Sequence, residues 1–547
     1  MLLLYSMKAY VKWLLAIAIL QCCIACNNNK ESTYKIFRYN EQTGIQSLDP
    51  AFAKNQSNMW AIHQLYNTLV EVDDSLNIVG SIAKNWVTSA DRKTITFNLK
   101  TTIQFHPNKA FGNAKINTLT ATDVVYSLQR IIDKKVASPG AWIFNGRVDS
   151  LTPFVAINDS TFQLKLLQPF QPILGILTMQ YCSIVPKQVV EYYGNAFRSN
   201  ACGTGPFVLD QWEEGQGLTM IKNNTYFETD SMGNRLPYLD GIKISFYDSK
   251  ATEFLLFRQK KLHFINDIDA SFKDEILTKN GVLKPDWKTK LVLQKQPYLN
   301  VEYLGILVDE KNELLQNSPL KIKKIRQAIN YAIDKNKMML YLRNSIGTAA
   351  NSGMVPSGMP SFDTTAVKGY TYNIAKAKQL LAEAGYPNGN GLPNIKLSTI
   401  PIYADLATYI AKDVEKAGIK IVVDVMQKAL LLEKTQNKQA AFFRGSWIAD
   451  YPDAENYLSL FYSKNPAPPN YTRYANAAFD KLYEQAMLTT DVNMRNKLYQ
   501  QMDAIVIDDA PVVPLWYDMA IHLVQPNVNG FVPNSLNLLE LRRTTID

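Results

Sequence analysis

A chain of 547 residues is too long for one hydrophobic core, and roughly three domains are expected from the length alone. Hydrophobic residues at 47% and charged residues at 20% describe an ordinary globular protein, and the net charge of +9 is spread thinly, without the basic run that nucleic-acid binding needs. The 29 tyrosines and 8 tryptophans are enough to line a binding surface as well as fill a core.

The amino end carries the compartment signal. Lys8 and Lys12 precede the apolar run 13–20, and Gln21-Cys22-Cys23-Ile24-Ala25-Cys26 follows. The run is too short to cross a bilayer, which takes about 20 residues, and it has the charged start, apolar middle and small-residue end of a secretory signal. Ala25 before Cys26 resembles a bacterial lipoprotein processing site, which implies removal of residues 1–25 and a lipid on Cys26. Cys23 stands where that pattern prefers leucine, and an uncleaved anchor is the competing reading. Losing Lys8 and Lys12 with the signal lowers the charge from +9 to +7. Residues 27–32 read as a polar tether. Two cysteines remain beyond that point, Cys182 and Cys202, and in an oxidising compartment they are expected either to pair or to stay as buried thiols, with pairing favoured. The four histidines are scattered without ligand spacing, so no metal and no cofactor is expected.

In chain order, 34–39 reads as a strand, Ser47-Leu48-Asp49-Pro50 as a turn, and the stretch up to Tyr66 as a helix. Ile95, Phe97 and Leu99 alternate with Thr94, Thr96 and Asn98, the pattern of a half-exposed strand. Thr120 and Asp123 open an amphipathic helix through Ile132. Gly203 and Gly205 faintly suggest a phosphate loop, but Pro206 follows and no lysine-led helix opens, so a nucleotide site is rejected. After Pro319 the character changes: helices around 322–333, 374–384, 404–417 and 429–435 alternate with strands at 395–400 and 419–425. Such alternation predicts an α/β lobe with a substantially parallel sheet.

The stretch 441–453, AFFRGSWIADYPD, follows this alternation. Ala441 to Phe443 reads as the end of a short buried strand, which puts Arg444 at its carboxyl end, where open α/β sheets bind ligands. Trp447 and Asp450 complete a guanidinium, an indole and a carboxylate within seven residues. An arginine fork suits a carboxylate and an aspartate suits an ammonium, so a zwitterion would suit the pair. The plain alternative is a core tryptophan, a turn aspartate and a solvated arginine.

The collinear series SLDPAFAKNQSNMWAIHQLYNTLV, IAKNWVTSADRKTITFNLK, LTATDVVYSLQRI, GTGPFVLDQWEEG, YLDGIKI, IRQAINYAIDKNKM, YNIAKAKQLLAEAGYPNG, GSWIADYPDAENYLSLF and YTRYANAAFDKLYEQA resembles the family 5 solute-binding proteins of ABC transporters, the oligopeptide and dipeptide binders. The resemblance covers almost the whole chain beyond the signal. It implies an α/β, two-lobe periplasmic-binding-protein fold of class II, large type, with a cleft between lobes. One discontinuous lobe would comprise 26–66, 190–285 and 515–547, with an inserted subdomain at 67–189; the α/β lobe would be 286–514.

The resemblance further implies an extracytoplasmic, membrane-anchored monomer in the periplasm or cell envelope, not an enzyme, that encloses a peptide and passes it to permease subunits. Asp450 would grip the peptide ammonium and Arg444 its carboxylate, with Trp447 between. Gly445 and Ile448 would supply main-chain pairing, and Lys54, Asn55 and Gln56 would face them from the first lobe. Lys54 stands where an acidic residue is usual, Asn344 where a lysine helps hold the carboxyl end, and neither Asn300 nor Ile448 is the cysteine some members carry. A nickel chelate, haem, an opine or an oligosaccharide is the alternative ligand. A secreted hydrolase would need a nucleophile with a base, or a metal, and neither Gly-x-Ser-x-Gly nor His-Glu-x-x-His occurs.

Overall fold

The computed structural model describes residues 34–112 and 117–547. The signal, the tether and Cys26 lie outside the described residues. Residues Ile36–Asp547 form one compact unit, and among the described residues no helix is long and apolar enough to cross a membrane.

The chain begins with β1 (Ile36–Asn40), the helix Gln56–Leu65, and a hairpin of β2 (Val70–Val72) and β3 (Ile78–Gly80). Next come β4 (Ala83–Thr88), β5 (Thr94–Leu99), the helix Ala121–Ile132, β6 (Phe154–Asn158) and β7 (Thr161–Lys165), and these strands make a separate sheet in the order β4-β5-β7-β6. The alternation read at 94–99 is that of β5, with Ile95, Phe97 and Leu99 buried. Thr120 and Asp123 close a capping box on the helix they open, which satisfies two of its orphan amide groups.

The first lobe's own strands are β1, β8 (Phe207–Glu213), β9 (Gly217–Lys222), β10 (Gly241–Ser245) and β11 (Phe264–Asn266). Two long strands follow from different ends of the second half: β12 (Val292–Ile306), and β17 (Val512–Val524), against which the short β13 (Thr348–Ala349) lies. Between them are β14 (Ile395–Thr399), β15 (Ile421–Val425) and β16 (Phe442–Ile448), with helices that include Lys335–Arg343, Ala404–Glu415 and Val492–Asp509. One sheet runs β15-β14-β16-β12-β17-β11-β1-β10-β9-β8. The expected parallel character holds where β14 lies between β15 and β16, but β12 pairs antiparallel with both neighbours.

Strands β12 and β17 thus tie the two lobes into one sheet. Val292 to Gln296 pair with the part of β17 that also contacts β11, whereas Val301 to Gly305 pair with its other half. The register shifts between Pro297 and Val301 and again between Glu302 and Tyr303, which pairs with Pro514. Proline cannot donate to a ladder, so Pro297 sits where the pairing breaks.

The favoured disulfide is absent. Cys182 and Cys202 are free, buried thiols, bonded separately to the Ile176 carbonyl at 3.6 Å and the His106 carbonyl at 3.4 Å. Burial raises both, Cys202 to about 12, so neither is poised as a thiolate.

Candidate functional site

The site is built on β16, which differs from the expected strand. It starts at Phe442 and runs to Ile448, so Arg444 lies within the strand and Asp450 stands just past its carboxyl end. Along one edge β16 pairs with β12 from Ile306↔Phe442 to Asn300↔Ile448. On the other edge β14 meets it at one register position, Ser398↔Phe443.

The hydrogen-bond phase decides which main-chain groups stay unused. Ala449 donates its amide to the Leu299 carbonyl at 2.8 Å, and Leu307 donates to Ala441 at 2.9 Å. These contacts make the odd-numbered residues of β16 the ones bonded to β12, so Ser446 and Ile448 turn their N–H and C=O groups the other way. Beyond Phe443 no strand among the described residues pairs with that edge. Gly445, expected to offer main-chain pairing, has its own groups turned toward β12, whereas those of Ser446 and Ile448 face the open edge. Gly445 faces Tyr303 across the ladder, and a Cβ there would come 2.7 Å from the tyrosine Cζ. Its smallness serves packing.

Asp450 is exposed at this open end, yet the protein around it pushes its carboxyl above the usual carboxylate range, offset in part by a hydrogen bond from Asn456. Asn456 also accepts from Trp447 Nε1 at 2.8 Å. The amide thus links indole to carboxylate, which fixes both. Three tyrosines sense the Asp450 charge, Tyr181, Tyr298 and Tyr457; each is raised first by burial, Tyr181 and Tyr298 to about 12. Asp450 forms no ion pair among the described residues.

Arg444 is different. It forms an ion pair with Glu302, whose side chain is buried, and its guanidinium lies 3.9 Å from the Tyr403 ring centre. A second pair stands beside it, Arg343 to Asp518 at 2.9 Å. Asn300 joins the two, donating to Asp518 at 3.2 Å and Glu302 at 3.4 Å. The four charges sum to zero. Three N–H groups nevertheless remain without partners: Nε of Arg343, Nε of Arg444 and Nε1 of Trp516. The arrangement can accept an oxygen acceptor without needing its charge.

The residue read at the carboxyl-end position, Asn344, is buried and donates to Asp274 at 2.8 Å. Its neighbour Arg343 lies near the sheet, and the sequence reading missed it together with Glu302 and Asp518, while naming Asn300 only as a position without the cysteine some members carry. The available signal was the basic residue one position away. On the first lobe, Asn55 caps its helix by accepting from the Asn58 amide at 3.1 Å, and Gln56 accepts from Asn266 at 3.1 Å. Lys54 is exposed. Asn55 and Gln56 are held by these contacts, and no hydrogen bond or ion pair among the described residues joins the three to β16.

A two-lobe α/β fold whose long sheet carries an open strand edge beside a carboxylate without an ion pair has the features of a ligand-capturing binding protein. The chain belongs to the bacterial extracellular solute-binding proteins, family 5, whose model matches residues 77–469. Among curated relatives, heme-binding protein A of Haemophilus influenzae is 29% identical over 527 residues, covering 92% of this chain and 91% of that protein. The dipeptide-binding protein of Escherichia coli K12 is 26% identical over 510 residues, covering 88% and 89%. The solved structure of HbpA2 from Haemophilus parasuis shares the fold, with a TM-score of 0.80 at 24% identity, covering 93% of this chain and 99% of that one.

Proposed function

We propose that this chain is the extracytoplasmic receptor of an ABC transporter and that it captures peptides between its lobes for delivery to the permease. The observation that carries the reading is the pairing of an open β16 edge at Ser446 and Ile448 with an Asp450 carboxylate that has no cation of its own. An extended peptide supplies what both lack. Its backbone completes the edge by strand addition, and its ammonium neutralises the carboxylate. Trp447 and Asn456 hold that carboxylate in place.

The names of relatives support the class: the Escherichia coli protein is a dipeptide binder, and a Helicobacter pylori neighbour was solved with the peptide STSA. The name of the haem-binding relative points to the other ligand class. Here, however, no histidine is among the groups that sense Asp450, and His106, His263 and His522 are buried and held near 4, mainly by burial. Opines, nickel chelates and oligosaccharides offer no such match of ammonium and strand. In this reading residues 1–25 are removed, Cys26 carries the lipid that anchors a monomer to the membrane, the lobe boundaries are those given above, and the protein performs no catalysis.

Titration calorimetry with free and N-acetylated peptides tests the proposal. Acetylation removes the ammonium but keeps the backbone, and should weaken binding by about 10- to 100-fold, the value of a hydrogen bond to a charged group. Equal affinities would overturn it. Intact mass of the envelope-extracted protein checks the lipid at Cys26.

A further inference from the structure

The inserted subdomain and the α/β lobe enclose a second cavity that Asp450 and Arg444 do not line. It measures about 590 Å³, within the roughly 300–1,000 Å³ range of small-molecule sites. The turn after Asp450 divides it from the cleft. Gly175 of the subdomain packs against that turn so closely that a Cβ there would touch Tyr451 at 3.5 Å and Pro452 at 3.6 Å.

One wall is apolar. Leu76, Trp86 and Leu174 come from the subdomain and Met359 from the lobe. Leu76 sits at the tip of the β2–β3 hairpin with φ 62°, a left-handed conformation that a branched residue rarely adopts. The tip is held by Asp73, whose carboxylate accepts from the amides of Ser75 at 2.9 Å and Asn77 at 2.8 Å. Leu76 itself is buried in the apolar cluster of the opposite lobe that contains Met359. The wall is thus preformed.

The other end is polar and under-used. Arg495 lies 3.5 Å from Asp453 and donates one further hydrogen bond, to the Thr489 carbonyl at 3.1 Å. Its Nε–H has no partner. Ser361, which is 4% exposed, also lines the cavity, and its hydroxyl has no partner either. Buried donors are almost always satisfied, so this pair calls for an acceptor.

We propose that this seam is a second ligand site, for a small neutral molecule with an amide or carbonyl oxygen on an aromatic or branched apolar body, since Asp453 already neutralises Arg495. The oxygen accepts from Ser361 and Arg495, and the body lies against Trp86 and Leu76. The walls belong to lobes that β12 and β17 join. An occupant that favours one arrangement of the lobes therefore changes the affinity of the cleft, and the cleft ligand changes the occupant's affinity by the same factor.

The probe is 4-bromobenzamide, with the full chain. The expected result is binding by ligand-observed NMR in solution and a bromine anomalous peak against Trp86 and Leu76 in soaked crystals. Thr88→Trp, which fills the cavity from β4, should weaken binding by about tenfold or more, and Ser361→Ala by roughly 2- to 10-fold, the value of one hydrogen bond. Thermal unfolding of each variant checks that it folds, and Ser361→Ala serves if Thr88→Trp does not. No binding at about 10 mM, binding at crystal concentration only, or equal affinity in the folded variants would overturn the proposal.

Discussion

The two ends of β16 carry opposite charges and opposite states of satisfaction. Arg444 is neutralised by Glu302 and stacked on Tyr403; Asp450 meets only an amide and three tyrosines. A charge already paired in a low-dielectric site gains little from a ligand, whereas an unpaired one gains the whole interaction. In the proposed reading the site selects for an ammonium and is tolerant of whatever lies at the other end. That difference can be broken at either residue.

The largest effect should be on stability, at Arg444. Arg444→Ala leaves Glu302 buried without its cation and should cost about 3 kcal/mol at neutral pH, read by denaturant unfolding. The sign with pH follows from Glu302, whose carboxyl burial already raises despite Arg444. Removing the arginine raises it further, so the folded variant holds a proton that the unfolded chain releases. Stability is then lost as pH rises from the unfolded value through the folded one, and the variant should recover toward wild type in acid. A loss independent of pH would mean that Glu302 has another partner.

Asp450→Ala comes next, and it should act on affinity rather than stability. Loss of the charge-assisted contact is expected to cost about 2 kcal/mol of peptide binding in calorimetry, with the melting temperature of the unliganded protein little changed. A clear fall in stability would show that Asp450 is structural.

The contrast also explains what was legible beforehand. Asp450, Trp447 and Arg444 were readable because charge and aromatic type are sequence properties, and Ile95 to Leu99 because one face of β5 is solvated. Strands β12 and β17 were not. The second half of β12 is buried on both faces, which erases alternation, and Pro297 and Pro514 read as breakers although the sheet shifts register to admit them. Whether Arg444 was spent could not be read either, since Glu302 lies 142 positions away and meets it only through the register of two strands. The length of β16 was misjudged for a related reason: Gly445 weakens a strand in isolation and is required by Tyr303 in this one.

A smaller effect should appear as proton release. A peptide ammonium favours the Asp450 carboxylate, which the free protein holds above its usual range. Binding should therefore expel a proton, and affinity should fall as pH drops through the raised value. Calorimetry in buffers of different ionisation enthalpy measures this directly; an enthalpy independent of buffer would mean that the carboxyl is fully ionised before the ligand arrives.

The smallest effect is the most discriminating. Amidation of the peptide carboxyl should cost the wild type no more than about fivefold, because the free Nε groups of Arg343 and Arg444 can donate to an amide oxygen as well as to a carboxylate. In Glu302→Gln, Arg444 has a charge to spare, and the same amidation should cost clearly more. The ratio of the two ratios isolates neutralisation by Glu302 from every difference that amidation makes to the peptide itself. If free and amidated peptides already differ by about 100-fold in the wild type, a carboxylate is being received as a charge. The tolerant end would then be as selective as the other.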